Sequence, residues 1–241
     1  MTGRVALVTG GTRGIGRAIA EMLKDRGYRV VAVYGGNVEA AEQFHQETGI
    51  PVYRWNVADY AECEAGIHKV AEEVGPVEVL VNNAGITRDV TLHKMSYEQW
   101  EDVVHTNLSS VFNMCRVVIE SMRDRGFGRI INIGSINGQI GQYGQANYAA
   151  AKSGIHGFTK ALAQENAKKG VTVNAIAPGY VDTDMVRKVP HEVLEKIIAG
   201  IPVGRLGRAE DIARGVCFLA EDNADFITGA TLSINGGQHM D

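Results

Sequence analysis

Short, β-branched apolar runs alternate along the chain with longer stretches in which apolar residues recur every three or four positions. The runs read RVALVTG, YRVVAVYG, PVYRWNV, VEVLVNNAG, GRIINIGS, VTVNAIAPG and ATLSING, and the stretches between them include GRAIAEMLKDRG and AEDIARGVCFLAED. Runs that are apolar on both faces predict strands covered on both sides, and the longer period predicts amphipathic helices. The expected fold is therefore α/β: a Rossmann-type, doubly wound parallel sheet of about seven strands with helices on both faces. No linker, low-complexity tract or short repeat interrupts the pattern, so residues 1–241 are expected to form one domain.

In such a fold, ligands bind beyond the carboxyl ends of the strands. Several residues suited to chemistry fall there: Gly10 after the first run, Asn56 to Asp59 after the third, Asn82 to Gly85 after the fourth, Ser135 after the fifth and Pro178 to Tyr180 after the sixth. Composition narrows the ligand. The net charge of −4 comes from 24 basic and 28 acidic residues mixed along the chain, which gives no footprint for nucleic acid or an anionic membrane. A small-molecule substrate is expected. Cys63, Cys115 and Cys217 stand far apart without CxxC spacing and read as buried thiols in a reducing compartment. His68, His93, His105 and His156 lack metal-ligand spacing, so no metal is expected. No secretion signal and no apolar run near the ~18 residues of a membrane span is present, and a cytoplasmic protein is expected.

In VTGGTRGIG, Gly10, Gly14 and Gly16 follow a G-x-x-x-G-x-G spacing, and the helix expected to begin near Ile15 would turn its free N–H groups toward a pyrophosphate. The second strand ends VAVYGGN, so Tyr34 to Asn37 carry no carboxylate to hold a ribose 2′-hydroxyl, whereas Arg13 offers a guanidinium to a 2′-phosphate. NADP(H) is expected over NAD(H). Asp59 can accept from an adenine amino group or cap the following helix, and both roles stay open. Asn83, Ala84 and Gly85 offer small, polar backbone at the cofactor groove, and Asn83 equally serves to fix a turn.

The segment GQANYAAAKSG sets Tyr148 and Lys152 one helical turn apart among small residues, which predicts a pair meeting on one face beside a cavity. A lysine ammonium so placed is expected to favour the phenolate and draw the tyrosine pKa down.

Together with Asn107 in HTNLSSVF, Ser135 in NIGS and the segment NAIAPGY, these motifs resemble the short-chain dehydrogenase/reductase family over essentially the whole chain and in the family's order. The resemblance implies a catalytic tetrad of Asn107, Ser135, Tyr148 and Lys152. Tyr148 would be the general acid, Ser135 would hold the substrate carbonyl, Lys152 would also bind the nicotinamide ribose, and Asn107 would anchor a proton-passing water. The cofactor set it implies is Gly10, Thr12, Arg13, Gly14, Ile15, Gly16, Tyr34, Asn56, Val57, Asp59, Asn83, Ala84, Gly85, Tyr148, Lys152, Pro178 and Gly179.

Within the family, NNAGITRD, TNLSSVF, GQANYAAAK and RLGRAEDIA are similar to the bacterial β-ketoacyl reductases. Two reactions compete: NADPH-dependent reduction of acetoacetyl-CoA to (R)-3-hydroxybutyryl-CoA for polyhydroxybutyrate, and reduction of β-ketoacyl groups on acyl carrier protein for fatty acids. The first is preferred on Gln139, Gln142 and Gln145, read as an amide-lined pocket, on Tyr143 and Tyr180, and on Gly126 where carrier-protein enzymes often have a basic residue. Substrate contacts are expected from Ser135, Gln142, Tyr143, Gln145, Tyr148 and Tyr180. The resemblance further implies a homotetramer, and a non-catalytic NADP-binding sensor or scaffold remains the alternative from another class.

Overall fold

The computed structural model describes residues 3–184 and 186–240. Its centre is a seven-stranded parallel sheet in the order β3-β2-β1-β4-β5-β6-β7. The strands are β1 Val5–Thr9, β2 Arg29–Tyr34, β3 Val52–Arg54, β4 Val77–Asn82, β5 Gly128–Ile133, β6 Val171–Pro178 and β7 Thr231–Ile234. All seven apolar runs form strands. The α-helices among the described residues are α1 Gly14–Asp25, α2 Val38–Thr48, α3 Tyr60–Glu73, α4 Tyr97–Val104, α5 Ser110–Arg125, α6 Asn137–Ile140, α7 Ala146–Asn166, α8 His191–Ala199 and α9 Ala209–Ala220.

Alternation within each strand builds a core on both sides of the sheet. Ala6, Val8, Val30, Ala32, Val79, Val81, Ile131 and Ile133 pack on α1 and α9, with Ile19, Leu23, Val216 and Leu219 facing them. Their neighbours Val5, Leu7, Val31, Val33, Leu80 and Ile130 pack on α3, α5 and α7 through Ile67, Val70, Met114, Val118 and Ile155. Each large side chain removed from water in this way stabilises the fold by about 1.5–3 kcal/mol.

The order reverses between β1 and β4, which places a crevice at their carboxyl ends. Helix starts around it differ. Asn37 caps α2 by accepting from Ala40 N at 3.0 Å, Asp59 caps α3 by accepting from Glu62 N at 3.0 Å, and Ser96 forms a capping box with Gln99 on α4. No side chain caps α1, and no acidic residue stands in its first turn. Its leading N–H groups therefore point at the crevice with the positive end of the helix dipole behind them.

Candidate active site

At the crevice, β1 and β4 are tied by side chains. Asn83 donates its Nδ2 to the carbonyls of Thr9 and Gly10 at 3.0 and 3.2 Å, while Thr9 Oγ1 accepts from the N–H groups of Asn83 and Ala84. The turn-fixing role of Asn83 is thus present. Gly10 and Gly14 have φ of +62° and +52°, which side chains on Cβ disfavour. Gly16 serves close approach instead: a Cβ there would stand 2.1 Å from Gly10 O and 2.5 Å from Asn83 Nδ2. The cradle is one that only glycine leaves open, and its donors are backbone N–H groups at an uncapped helix start. This chemistry fits the pyrophosphate of a dinucleotide.

Thr12 is buried in the loop, Ile15 is half-buried at the start of α1, and Arg13 is exposed with no ion pair among the described residues. Arg54, which the sequence reading passed over, donates its Nε to Gly35 O at 3.2 Å, so a second guanidinium stands by the turn after Tyr34. Asn56 Oδ1 accepts from Ala58 N at 3.0 Å and Val57 is buried, its carbonyl held by Asn113 Nδ2 at 3.0 Å. Asp59 is a helix cap; one of its oxygens is used by Glu62 N. Pro178 O accepts from Ile136 N at 2.9 Å, tying the end of β6 to the loop that carries Ser135, and Gly179 lies against Asn235.

Asn107 sits in a π-helical turn, His105–Ser109, between α4 and α5, a local irregularity frequent at functional sites. Its amide clamps one backbone unit: Oδ1 accepts from Ile86 N at 2.8 Å and Nδ2 donates to Ile86 O at 2.9 Å. A Cβ on Gly85 would stand 3.3 Å from Asn107 Oδ1 and 3.7 Å from Lys152 Nζ, so both side chains flank the same bare backbone. Lys152, 4% exposed, donates to Ile133 O at 2.7 Å. Burial brings its pKa down to about 8.

The structure corrects one electrostatic expectation. Tyr148 is not drawn down by Lys152: burial pushes the phenol up to about 12, a Ser135 hydrogen bond works against this, and Asp89 and Tyr180 add to it. The reason is geometric, since the ammonium is directed to Ile133 O and lies 5.7 Å from the centre of the Tyr148 ring. Asn147 fixes Tyr148 in place. Wholly buried, it donates to Arg88 O and Gln99 O at 3.2 and 3.0 Å and accepts from Tyr148 N at 2.8 Å.

The three glutamines differ in their surroundings. Gln139 donates to Ser233 Oγ at 3.3 Å, Gln142 is exposed, and Gln145 is engaged at both ends, accepting from Asn137 Nδ2 at 2.9 Å and donating to Asp89 Oδ2 at 2.8 Å. Tyr143 is 87% exposed, because the glycines on either side carry it outward at φ of +74° and +76°. Tyr180 remains beside the site, where burial pushes its hydroxyl up and Asn137 works against the push. The three cysteines are buried, free thiols, pushed up by burial to about 12 at Cys63 and Cys115 and about 11 at Cys217.

A glycine cradle at an uncapped helix start, a buried lysine and a tyrosine beside Ser135 meet at one switch point, an arrangement that fits a nicotinamide-dependent oxidoreductase. A family model described as enoyl-(acyl carrier protein) reductase matches residues 10–239. The acetoacetyl-CoA reductase of Rhizobium meliloti is 63% identical over 238 residues, covering 98% of this chain and 99% of that one. The acetoacetyl-CoA reductase of Cupriavidus necator is 51% identical over 245 residues, covering 100% of both. The 3-oxoacyl-(acyl-carrier-protein) reductase of Escherichia coli is 49% identical over 240 residues, covering 99% of this chain and 98% of that one. The chain belongs to the short-chain dehydrogenase/reductase family. Among the described residues, no helix is long and apolar enough to cross a membrane.

Proposed function

We propose that this oxidoreductase reduces acetoacetyl-CoA to (R)-3-hydroxybutyryl-CoA with NADPH, the reaction that would supply polyhydroxybutyrate synthesis. The observation that carries the substrate is the full-length, 63% identity to an acetoacetyl-CoA reductase, against 49% to a carrier-protein reductase. The cofactor supplies the hydride. Tyr148 supplies the proton: a phenol held near 12 keeps it at neutral pH until charge develops on the substrate oxygen. Ser135 donates to the same oxygen and steadies the phenolate left behind. Lys152, flanking Gly85, also binds the nicotinamide ribose. The Asn107 side chain is engaged with Ile86 N–H and O, so it holds the Gly85 wall.

NADPH preference is supported by Arg13 and Arg54 around a turn without a carboxylate. Exposed Phe112 on α5, and Phe218, Phe226 and Met240 toward the β7 side, support a homotetramer. The protein is read as cytoplasmic. The deciding experiment follows NADPH oxidation with acetoacetyl-CoA, acetoacetyl-carrier protein and a chain-length series. A kcat/KM highest for acetoacetyl-CoA and falling steeply by C8 is expected. Preference for the carrier protein with long chains tolerated transfers the assignment to fatty-acid synthesis, and cofactor binding without turnover indicates a sensor.

A further inference from the structure

Three separate segments meet at the mouth of the site through one short polar chain. Asp89 comes from the loop after β4, Asn137 and Gln145 from the two ends of the β5–α7 connection, and Tyr180 from the turn after β6. Gln145 donates to Asp89 Oδ2 at 2.8 Å and accepts from Asn137 Nδ2 at 2.9 Å. Asn137 also draws the Tyr180 hydroxyl down against the larger upward push of burial, and its backbone N–H donates to Ser135 Oγ at 3.1 Å.

We propose that Asn137 is the positioning residue of the substrate pocket, joining Ser135, Tyr180 and, through Gln145, Asp89 into one rigid wall that fits a short β-ketoacyl group. The orientation of the relay is dictated from its outer end. An ionised carboxylate only accepts, so Asp89 turns Gln145 Nε2 toward itself; Gln145 Oε1 must then face Asn137, and Asn137 must present Nδ2. Asn137 is 8% exposed, so no water competes freely for these bonds, and its Oδ1 is buried without a partner. An amide nitrogen with two hydrogens is the one group that serves Gln145 and Tyr180 from a single atom. A longer acyl chain would have to displace Tyr180 or Gln145, and moving either breaks bonds at both ends of the relay. Gln145 thus shapes the pocket without facing the substrate with a free amide, which accounts for a glutamine fixed immediately before α7, three residues ahead of Tyr148.

This rests on the β-ketoacyl thioester reading, and its test uses ratios of variant to wild type on whichever β-ketoacyl thioester, CoA or carrier-bound, the wild type turns over. A wild type inactive on acetoacetyl-CoA therefore refutes the substrate reading while the relay is judged on the other thioester. Asn137→Asp, nearly isosteric, removes both donors; it should raise the substrate KM by about tenfold, leave kcat within about threefold, leave the NADPH KM unchanged and raise the relative rate on C8 chains. Asp89→Asn alone, in a surface loop that folds independently of the change, should do the same more weakly. The paired variant Asp89→Asn with Asn137→Asp reverses both hydrogen bonds and restores them, so it should recover most of the lost KM. Wild-type KM and chain-length profile in Asn137→Asp and Asn137→Ala overturn the proposal, as does a paired variant no better than the product of its singles.

Discussion

Lys152 should be a stability liability that the fold retains for chemistry, and replacing it by methionine measures how large. The native state holds its ammonium at a pKa of about 8 against an ordinary 10.5, because burial disfavours the charge. The sign follows from proton binding: the unfolded chain binds the proton more tightly, so stability rises with pH. The penalty is absent above 10.5, grows as pH falls, and is complete below 8. At about 1.4 kcal/mol per pH unit it reaches about 3 kcal/mol at pH 7. Lys152→Met removes it and keeps most of the stem's packing, but leaves Ile133 O without its donor, which costs about 1–3 kcal/mol. The variant should therefore equal or exceed wild-type stability at pH 7, by up to about 2 kcal/mol, while losing turnover. Between pH 7 and 9 the wild type should gain about 1.3 kcal/mol relative to the variant. Urea unfolding at fixed protein concentration, followed by Trp55 and Trp100 fluorescence, reads both quantities. A stability difference that does not change with pH would refute the buried-charge argument, as would a variant destabilised by more than about 3 kcal/mol at pH 7.

Tyr148→Phe should lower kcat for reduction by about 10²–10⁴-fold while the NADPH dissociation constant, measured by fluorescence titration, stays within about twofold, because only the proton donor is lost. Arg13→Ala should weaken NADPH, with NADH kinetics unchanged, and cut the NADPH preference by about tenfold; Arg54→Ala should act in the same direction, and equal loss for both cofactors would remove the phosphate contact. Gly16→Ala should weaken both cofactors alike and destabilise the fold by about 1–3 kcal/mol in thermal unfolding, since its methyl would meet Gly10 O.

The fold was legible because its signal is local. Each strand is a contiguous apolar run, and Asp59 announces a helix start by residue type alone. The proposed tetrad was nameable for a different reason: Tyr148 and Lys152 share one turn of α7, and Asn107 and Ser135 stand in recognisable segments. What the sequence concealed lies in contacts between distant segments. Arg54 bonds Gly35 across 19 positions and Gln145 bonds Asp89 across 56, and neither pairing leaves a periodic trace. The glutamine spacing looked like a pocket wall because side-chain type was visible and direction was not; positive φ at Gly141 and Gly144 carries Tyr143 into solvent.

The two displaced pKa values bear on the proposed mechanism. With Tyr148 near 12 and Lys152 near 8, both protons are present at neutral pH, and Tyr148, as the weaker acid, would give up its own only to a substrate oxygen more basic than a phenolate. With a bound nicotinamide supplying the hydride, Tyr148 would then donate as the carbonyl is reduced and not before. Ser135 already works against the upward push on the phenol, and Asp89 adds to it. In this scheme Asp89 has two parts: its charge adds to the larger effect of burial in holding the proton on Tyr148, and its oxygens orient the proposed relay. A neutral amide there could donate as well as accept, so it would fix the relay less firmly and supply no charge, which is a physical reason for a carboxylate at the rim of a site that must itself stabilise negative charge.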